Sequence, residues 1–393
     1  MKKLALIAAL GLVSTGAYAQ AIKAKEAEKL HHNNPAEART MIAEARQHDE
    51  TKNDAYTWFV SGLVEQKAYN NEFVKAQLGQ QANEEAMYRA LIAEVPFFLK
   101  TYELENVPNE KGKIKLKYAK KAKDYLQADY QNLLNAGSFF QQKADYKSSA
   151  QAFEQYVNVR RAPMFADNKA IATLDTTAYQ VAYFSALMYH EVKDYDKAIA
   201  IANDFREAPV HGEDIYQVLA ASYQAKGDSV QLIKALEEGQ TKFAKSPYFT
   251  LNLAQLAFNQ GDLAKSESYV LRALEQDAQN TTLLNFLGGL AEQQQNLDKA
   301  AEWYLKSLAV KADEYDANYN LGRTYYNQAV ELFNVQNPTK LTDDKAKGFL
   351  AKAVPYLEAA YKLKPADVYY VLSNTYDRLD RKADAERIRA AHQ

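Results

Sequence analysis

The sequence predicts an all-α protein built as a stack of antiparallel helix pairs. Three observations carry that reading: turn residues are scarce, apolar residues recur at helical spacing, and the pattern repeats every 34 residues. Gly (14) and Pro (9) together supply about half their usual share. A β-sandwich or barrel needs turn residues every roughly eight to twelve positions and would not be so poor in them.

The period is read first from the apolar residues. Leu219, Leu253, Leu287 and Leu321 lie 34 apart, and each precedes a small residue: Ala220, Ala254, Gly288 and Gly322. Three residues further on come Tyr223, Ala257, Ala291 and Tyr325. The turns keep the same beat, with Gly227-Asp228 and Gly261-Asp262 again 34 apart. Asp194-Tyr195-Asp196-Lys197-Ala198 recurs 102 residues later, three periods on, as Asn296-Leu297-Asp298-Lys299-Ala300. Within each repeat, places 4, 7, 8 and 11 share one face of a helix, and places 20, 24 and 27 share one face of the next. Small residues at places 8 and 20 let the two helices approach closely. Neither face can be buried by one pair alone, so neighbouring pairs must stack.

This pattern resembles the tetratricopeptide repeat, with its small residues at the eighth and twentieth places. In that register repeats begin near Tyr179, Glu213, Pro247, Thr281 and Tyr315, and the resemblance covers roughly residues 20–393. In the repeat from Pro247 the family's places read Thr250, Leu253, Ala254, Ala257, Ser266, Val270, Ala273 and Ala278. Ala278 departs from the family, which prefers Pro there. The resemblance implies an α-solenoid in which antiparallel pairs wind into a right-handed superhelix.

Weaker copies flank these five. A first pair is expected with helix one from Ile22 and helix two carrying Ala38, Ile42 and Ala45. A second opens near Ala55 with Trp58 and Gly62, and a third starts at Tyr130 with Leu133, Gly137, Phe140, Ser149 and Phe153. Leu372, Tyr376 and Ala385 mark a terminal pair, whose Arg378, Arg381, Lys382, Arg387 and Arg389 supply the polar coat of a capping repeat. Two insertions lengthen helix pairs. They end in matching segments, Val95-Pro96-Phe97-Phe98 and Val354-Pro355-Tyr356-Leu357, each expected to be a lengthened helix with a Pro kink or start. A third insertion, 163–178, has loop composition. The expected organisation is therefore a segment 1–19, an array over 20–162, the loop 163–178, and a second array over 179–393 with its insertion at 326–352.

The segment 1–19 has the layout of a secretory signal peptide. Lys2 and Lys3 precede an apolar run from Leu4 to Val13, and Ala17-Tyr18-Ala19 is a small-x-small cleavage site. The run is too short to span a bilayer. Cleavage after Ala19 predicts a periplasmic or outer-membrane-associated protein; with no Cys in the chain, it is not a lipoprotein. The formal net charge is −2, which gives no electrostatic case for nucleic acid.

A catalytic role is not expected. His190-Glu191-Val192-Lys193-Asp194 resembles a zinc-protease helix with Asp for the second His, but Asp194 falls at an interhelix turn and no third ligand is identifiable. His31 and His32 sit at another such turn and are expected to be solvated. Neither a nucleophile elbow nor a phosphate-cradling Gly loop occurs, so no metal or cofactor is expected.

Binding is expected on the first helices, where places 2, 5, 9 and 12 form one stripe beside the packing face. The resemblance implies that this stripe lines a concave groove. It carries Tyr183 and His190, then Gln217, then Tyr248, Leu251 and Phe258, then Asn285, Gly289 and Glu292, then Tyr319, Arg323 and Tyr326. Aromatic and amide groups there suit an extended peptide or protein segment. The tyrosines also suit stacking on sugars, so a glycan- or envelope-polymer-binding module is the alternative. Lys111, Lys113, Lys115, Lys117, Lys120, Lys121 and Lys123 are read as a basic helix with an apolar face of Ile114, Tyr118, Ala122 and Tyr125. Such a run is ordinarily a solvated face, although an anionic membrane or polymer would suit it. Thr176 and Ser229 follow aspartates in a pattern resembling the acceptor that some Gram-negative bacteria O-glycosylate.

Overall fold

A computed structural model describes residues 20–337 and 339–392; the signal-like segment 1–19 lies outside the described residues. The described residues hold helices and turns, without a β-strand. The chain divides into two compact units, one ending at Asp228 and the other beginning at Ser229.

The first unit contains α1 (20–30), α2 (Pro35–Gln47), α3 (Ala55–Gln77), α4 (Glu84–Glu105), α5 (Ala119–Asp129), α6 (Asn132–Gln142), α7 (Tyr146–Arg161), α8 (Lys169–Ala172), α9 (Thr176–Glu191), α10 (Tyr195–Phe205) and α11 (Gly212–Lys226). The second contains α12 (Ser229–Lys242), α13 (Pro247–Asn259), α14 (Leu263–Leu274), α15 (Thr281–Gln293), α16 (Leu297–Val310), α17 (Tyr315–Phe333), α18 (Lys340–Leu363), α19 (Pro365–Arg378) and α20 (Lys382–Ala390). The expected repeat starts coincide with α9, α11, α13, α15 and α17 to within three residues.

The 34-residue beat is visible in the backbone. Lys193, Gly227, Gly261 and Gln295 all take left-handed φ values, between 58° and 79°, just after a first helix. In each case the next residue's N–H donates to a carbonyl five residues back, as in Asp228 to Tyr223 at 3.0 Å and Asn296 to Ala291 at 2.9 Å. That same residue then caps the second helix: Asp262 accepts from the Lys265 N–H at 3.0 Å, and Asn296 from Lys299 at 3.1 Å. Asp194 is one of these caps, accepting from the Lys197 N–H, which explains why its segment recurs at Asn296. His190 meanwhile bonds the Ser222 hydroxyl at 3.0 Å.

Between the helices of a pair, place 8 meets place 24. A Cβ added to Gly288 would lie 2.3 Å from the Tyr304 ring, and one added to Gly137 2.1 Å from Phe153. The small residue is thus a steric requirement of the pairing.

Three features depart from expectation. The segment 163–178 is not a divide: α7 and α9 pack directly on one another across it, and the unit boundary falls some fifty residues later. Arg160, almost wholly buried, holds the segment by donating to the Ile171 and Thr173 carbonyls and pairing with Asp175 at 2.8 Å; Met164, Phe165 and Ile171 bury beneath it. The lysine-rich stretch is not one helix, because α5 begins only at Ala119. Lys113 and Lys117 lie in irregular chain, whereas Lys120 and Lys121 lie on α5. The Glu105 carboxylate accepts the N–H groups of Tyr118 and Ala119, at 2.9 and 2.8 Å, and so fixes the helix start there. His31 is buried, its ring bonded to the Glu28 carbonyl, and only His32 is solvated.

Candidate functional site

In the second unit the first helices α13, α15, α17 and α19 contact one another in sequence, so their stripe residues lie side by side. The stripe is half-buried rather than solvent-facing. Tyr248 packs edge-on to Phe249, and burial raises its phenol above the ordinary value. Leu251 packs on the cluster of Val270, Leu283 and Leu287, and Phe258 is likewise half-buried. Tyr319 stacks on Tyr315 with ring centres 5.9 Å apart, and the Arg323 guanidinium sits 5.7 Å from the Tyr319 ring.

Arg323 is tied across to the preceding first helix, pairing with Glu292 at 2.9 Å. Glu292 also accepts from the Thr324 hydroxyl at 2.6 Å. Asn285 donates to Glu314 at 2.9 Å, while its own carbonyl oxygen and the Arg323 Nε are buried and meet no partner among the described residues. A polar lattice thus joins α15 and α17, with hydrogen-bonding capacity left over.

Beside this lattice lies an indentation that packing does not demand. A Cβ on Gly288 would collide with Tyr304, yet one on the adjacent Gly289 would meet only the Tyr304 hydroxyl, at 3.8 Å. Gly289 occupies stripe place 9 of α15, next along the helix from Asn285 at place 5.

One expectation needs correction, and one residue was missed. The stripe tyrosines Tyr319 and Tyr326 were expected to stand clear of the packing, but both pack. Tyr326 adjoins Ala346 and Leu350 of α18, and Tyr319 packs against a cluster drawn from α18, α19 and α20 that includes Leu357 and Leu372. For Tyr326 the reason is the lengthened α18, whose added turns carry Ala346 and Leu350. Tyr370 of α19 was missed. Its ring is 69 % exposed, and the spacing from Leu372 and Tyr376 places it where Tyr319 stands in α17.

In the first unit Tyr183 stacks on His211, centres 5.0 Å apart, and His211 pairs with Asp214 at 2.8 Å. Gln217 bonds Glu213 at 3.2 Å. Thr176 and Ser229 are exposed first residues of α9 and α12, although the Asp175 carboxylate beside Thr176 is already engaged by Arg160 and the Ala178 N–H.

The family model described as tetratricopeptide repeat matches residues 251–280, which run from within α13 through α14 to the turn after it. The chain carries a tetratricopeptide repeat there. Among curated proteins it is similar to the Protein O-mannosyl-transferase TMTC3 of Mus musculus, 28 % identical over 106 residues, and to that of Homo sapiens, 28 % over 109. Each alignment covers 26 % of this chain and 11 % of the relative, so the chain spans about a tenth of those proteins. Similar solved structures include MamA, at 18 % identity and TM-score 0.33 over 47 % of this chain and 90 % of that one. YrrB, described as a TPR protein with an unusual peptide-binding site, shows 18 % identity and TM-score 0.32 over 55 % and 94 %. IFIT1 with Gppp-AAAA shows 16 % and 0.39 over 92 % and 72 %.

Proposed function

We propose that this tetratricopeptide-repeat chain is a non-enzymatic scaffold of the bacterial cell envelope that holds a protein or peptide partner against its first-helix stripe. The indentation at Gly289 carries the reading. It sits beside Asn285, Glu292 and Arg323, and nothing in the helix packing requires a residue without a side chain there. A peptide backbone laid across it would meet an amide, a carboxylate and a guanidinium within one stripe. Export rests on the signal-like composition of residues 1–19. Glycan binding remains the second reading, favoured by the exposed ring of Tyr370.

Because Tyr319 and Tyr326 also pack, a substitution at Gly289 separates binding from folding. Gly289→Leu should fill the indentation and abolish crosslinking of envelope partners in living cells, while leaving the melting temperature equal or higher. Partner recovery unchanged in Gly289→Leu would dispose of the site. If the Ser229 and Thr176 acceptors are used in such a cell, the intact mass of the exported chain exceeds that of its polypeptide; equality removes that reading.

A further inference from the structure

Residues 106–117 are exposed without exception, between α4 and α5. They do not dangle. Asn109 builds a turn in which its N–H donates to the Lys113 carbonyl at 3.0 Å, and its side-chain oxygen accepts from the N–H groups of Lys111 and Lys113, both at 3.0 Å. Gly112, at φ +70°, closes that turn. The base is fixed by Glu105 capping α5 and by the Tyr118 ring, which packs on Phe59 and Tyr56 with centres 5.3 and 5.2 Å apart.

What this anchored loop presents is an unusual mixture. Lys111, Lys113 and Lys115 meet no carboxylate among the described residues, and neither do Lys120 and Lys121 just beyond; Glu110 is the loop's one acid. Between the lysines, Val107, Ile114 and Leu116 are 63, 48 and 40 % exposed. Aliphatic side chains held in water beside unpaired ammonium groups fit an interface that is apolar within and anionic at its face. A nucleic acid would call for stacking rings, and the loop has none; Tyr118 is occupied in packing. A tight phosphate-ester pocket would call for the bidentate fork of Arg, and the loop has only Lys.

We propose that the loop 106–117, with Lys120 and Lys121, is a membrane-surface contact that seats the first unit on a bilayer of anionic phospholipid. The lysines meet the headgroups, and Val107, Ile114 and Leu116 enter the interfacial region. This contact is separate from the first-helix stripe and stands without it. Among the described residues no helix is long and apolar enough to cross a membrane, so the contact is peripheral.

The test is vesicle co-sedimentation of the full chain on phosphatidylcholine vesicles with and without phosphatidylglycerol. Binding to pure phosphatidylcholine measures what any other segment contributes. Two variants are compared: one with Lys113, Lys115, Lys117, Lys120 and Lys121 replaced by Gln, and one with Val107, Ile114 and Leu116 replaced by Ser. Every changed residue is exposed, so both variants should melt as the parent does. Each should lose at least about tenfold in partitioning to the anionic vesicles, since a lysine at such a surface contributes roughly fivefold. Parental partitioning by either variant overturns the proposal. Equal retention by the Ser variant alone, with capture of soluble polyphosphate by the parent, would make the loop a polyanion site without membrane entry.

Discussion

The two lengthened helix pairs, α3/α4 in the first unit and α17/α18 in the second, are the same design solved with one opposite residue. In both, a glycine of the first helix receives a side chain of the second: an added Cβ at Gly62 would lie 2.3 Å from Phe98, and one at Gly322 2.6 Å from Leu357. In both, a proline lies inside the second helix, Pro96 in α4 and Pro355 in α18. Two residues before that proline stand Ala353 in α18 and Glu94 in α4, and both are wholly buried. Ala353 is what the pairing wants. Glu94 is a carboxyl group with neither oxygen hydrogen-bonded among the described residues. Burial, and then the Asp129 and Glu65 carboxylates, hold its pKa well above the ordinary range, which favours the neutral acid. Asp129, at the end of α5, is itself raised to about 6 by burial. The difference teaches that the buried place two residues before the proline takes a small residue in one pair and an acid in the other, where burial and neighbouring anions disfavour its charge.

The largest effect is expected from copying the acid into the second pair. Ala353→Glu should cost about 3 kcal/mol or more, through overpacking against α17 and an unpartnered buried carboxyl. Each unit carries one of the chain's two tryptophans, Trp58 and Trp303, so fluorescence of a Trp58→Phe background follows the second unit. An unchanged urea midpoint there would show that the second pair accommodates an acid as the first does, and would remove the contrast between them.

The reverse change should stabilise. Glu94→Leu removes an unsatisfied buried group of similar volume and should gain about 1–3 kcal/mol at pH 7 in a Trp303→Phe background. The sign of its pH dependence follows from the raised pKa. The native state binds a proton that the unfolded chain has released, so stability is greatest below the ordinary carboxyl range, about pH 4, and falls as pH rises toward the folded value. Asp129 adds a loss of the same sign, complete near pH 6. The advantage of the Leu variant over the parent should therefore be smallest at pH 4 and largest at pH 7. A gain independent of pH would show that Glu94 is charged in the fold.

Most of the fold was legible because the repeat is a steric code. Leu253, Ala254 and Ala257 can be read at a distance of 34 residues, and the turns at Gly227 and Gly261 announce themselves through the conformational freedom they need. Lys193 and Gln295 take the same left-handed turn without a glycine, and only their phase betrays them. The stripe was legible as a face but not as an environment. Burial of Tyr326 depends on the length of α18, a tertiary fact, and the role of Gly289 depends on Tyr304 packing against its neighbour instead. The lysine run misled because its charge count was read as a helix, although Gly112 and the alternation Lys113-Ile114-Lys115-Leu116-Lys117 already argued for irregular or extended chain. The mismatch at Glu94 was present in the sequence as a large acid at a place reserved for small residues.

The smallest expected effect sharpens the account of that acid. Glu65 of α3 is one of the anions that raise Glu94, and Arg39 of α2 holds it in a two-pronged pair, at 2.8 and 2.7 Å. The pair is partly exposed, so its own contribution to stability is below about 1 kcal/mol. Its second consequence is electrostatic: the Arg39 cation offsets the Glu65 anion as Glu94 experiences it. Arg39→Gln should then leave stability at pH 4 nearly unchanged, yet push the Glu94 pKa further up and extend the stability loss to higher pH. Adding Glu65→Gln should cancel that extension, because the anion that Arg39 offset is gone. If Arg39→Gln lowers stability equally at every pH, and Glu65→Gln does not reverse it, the pair acts through local packing and Glu94 is set by burial and Asp129 alone.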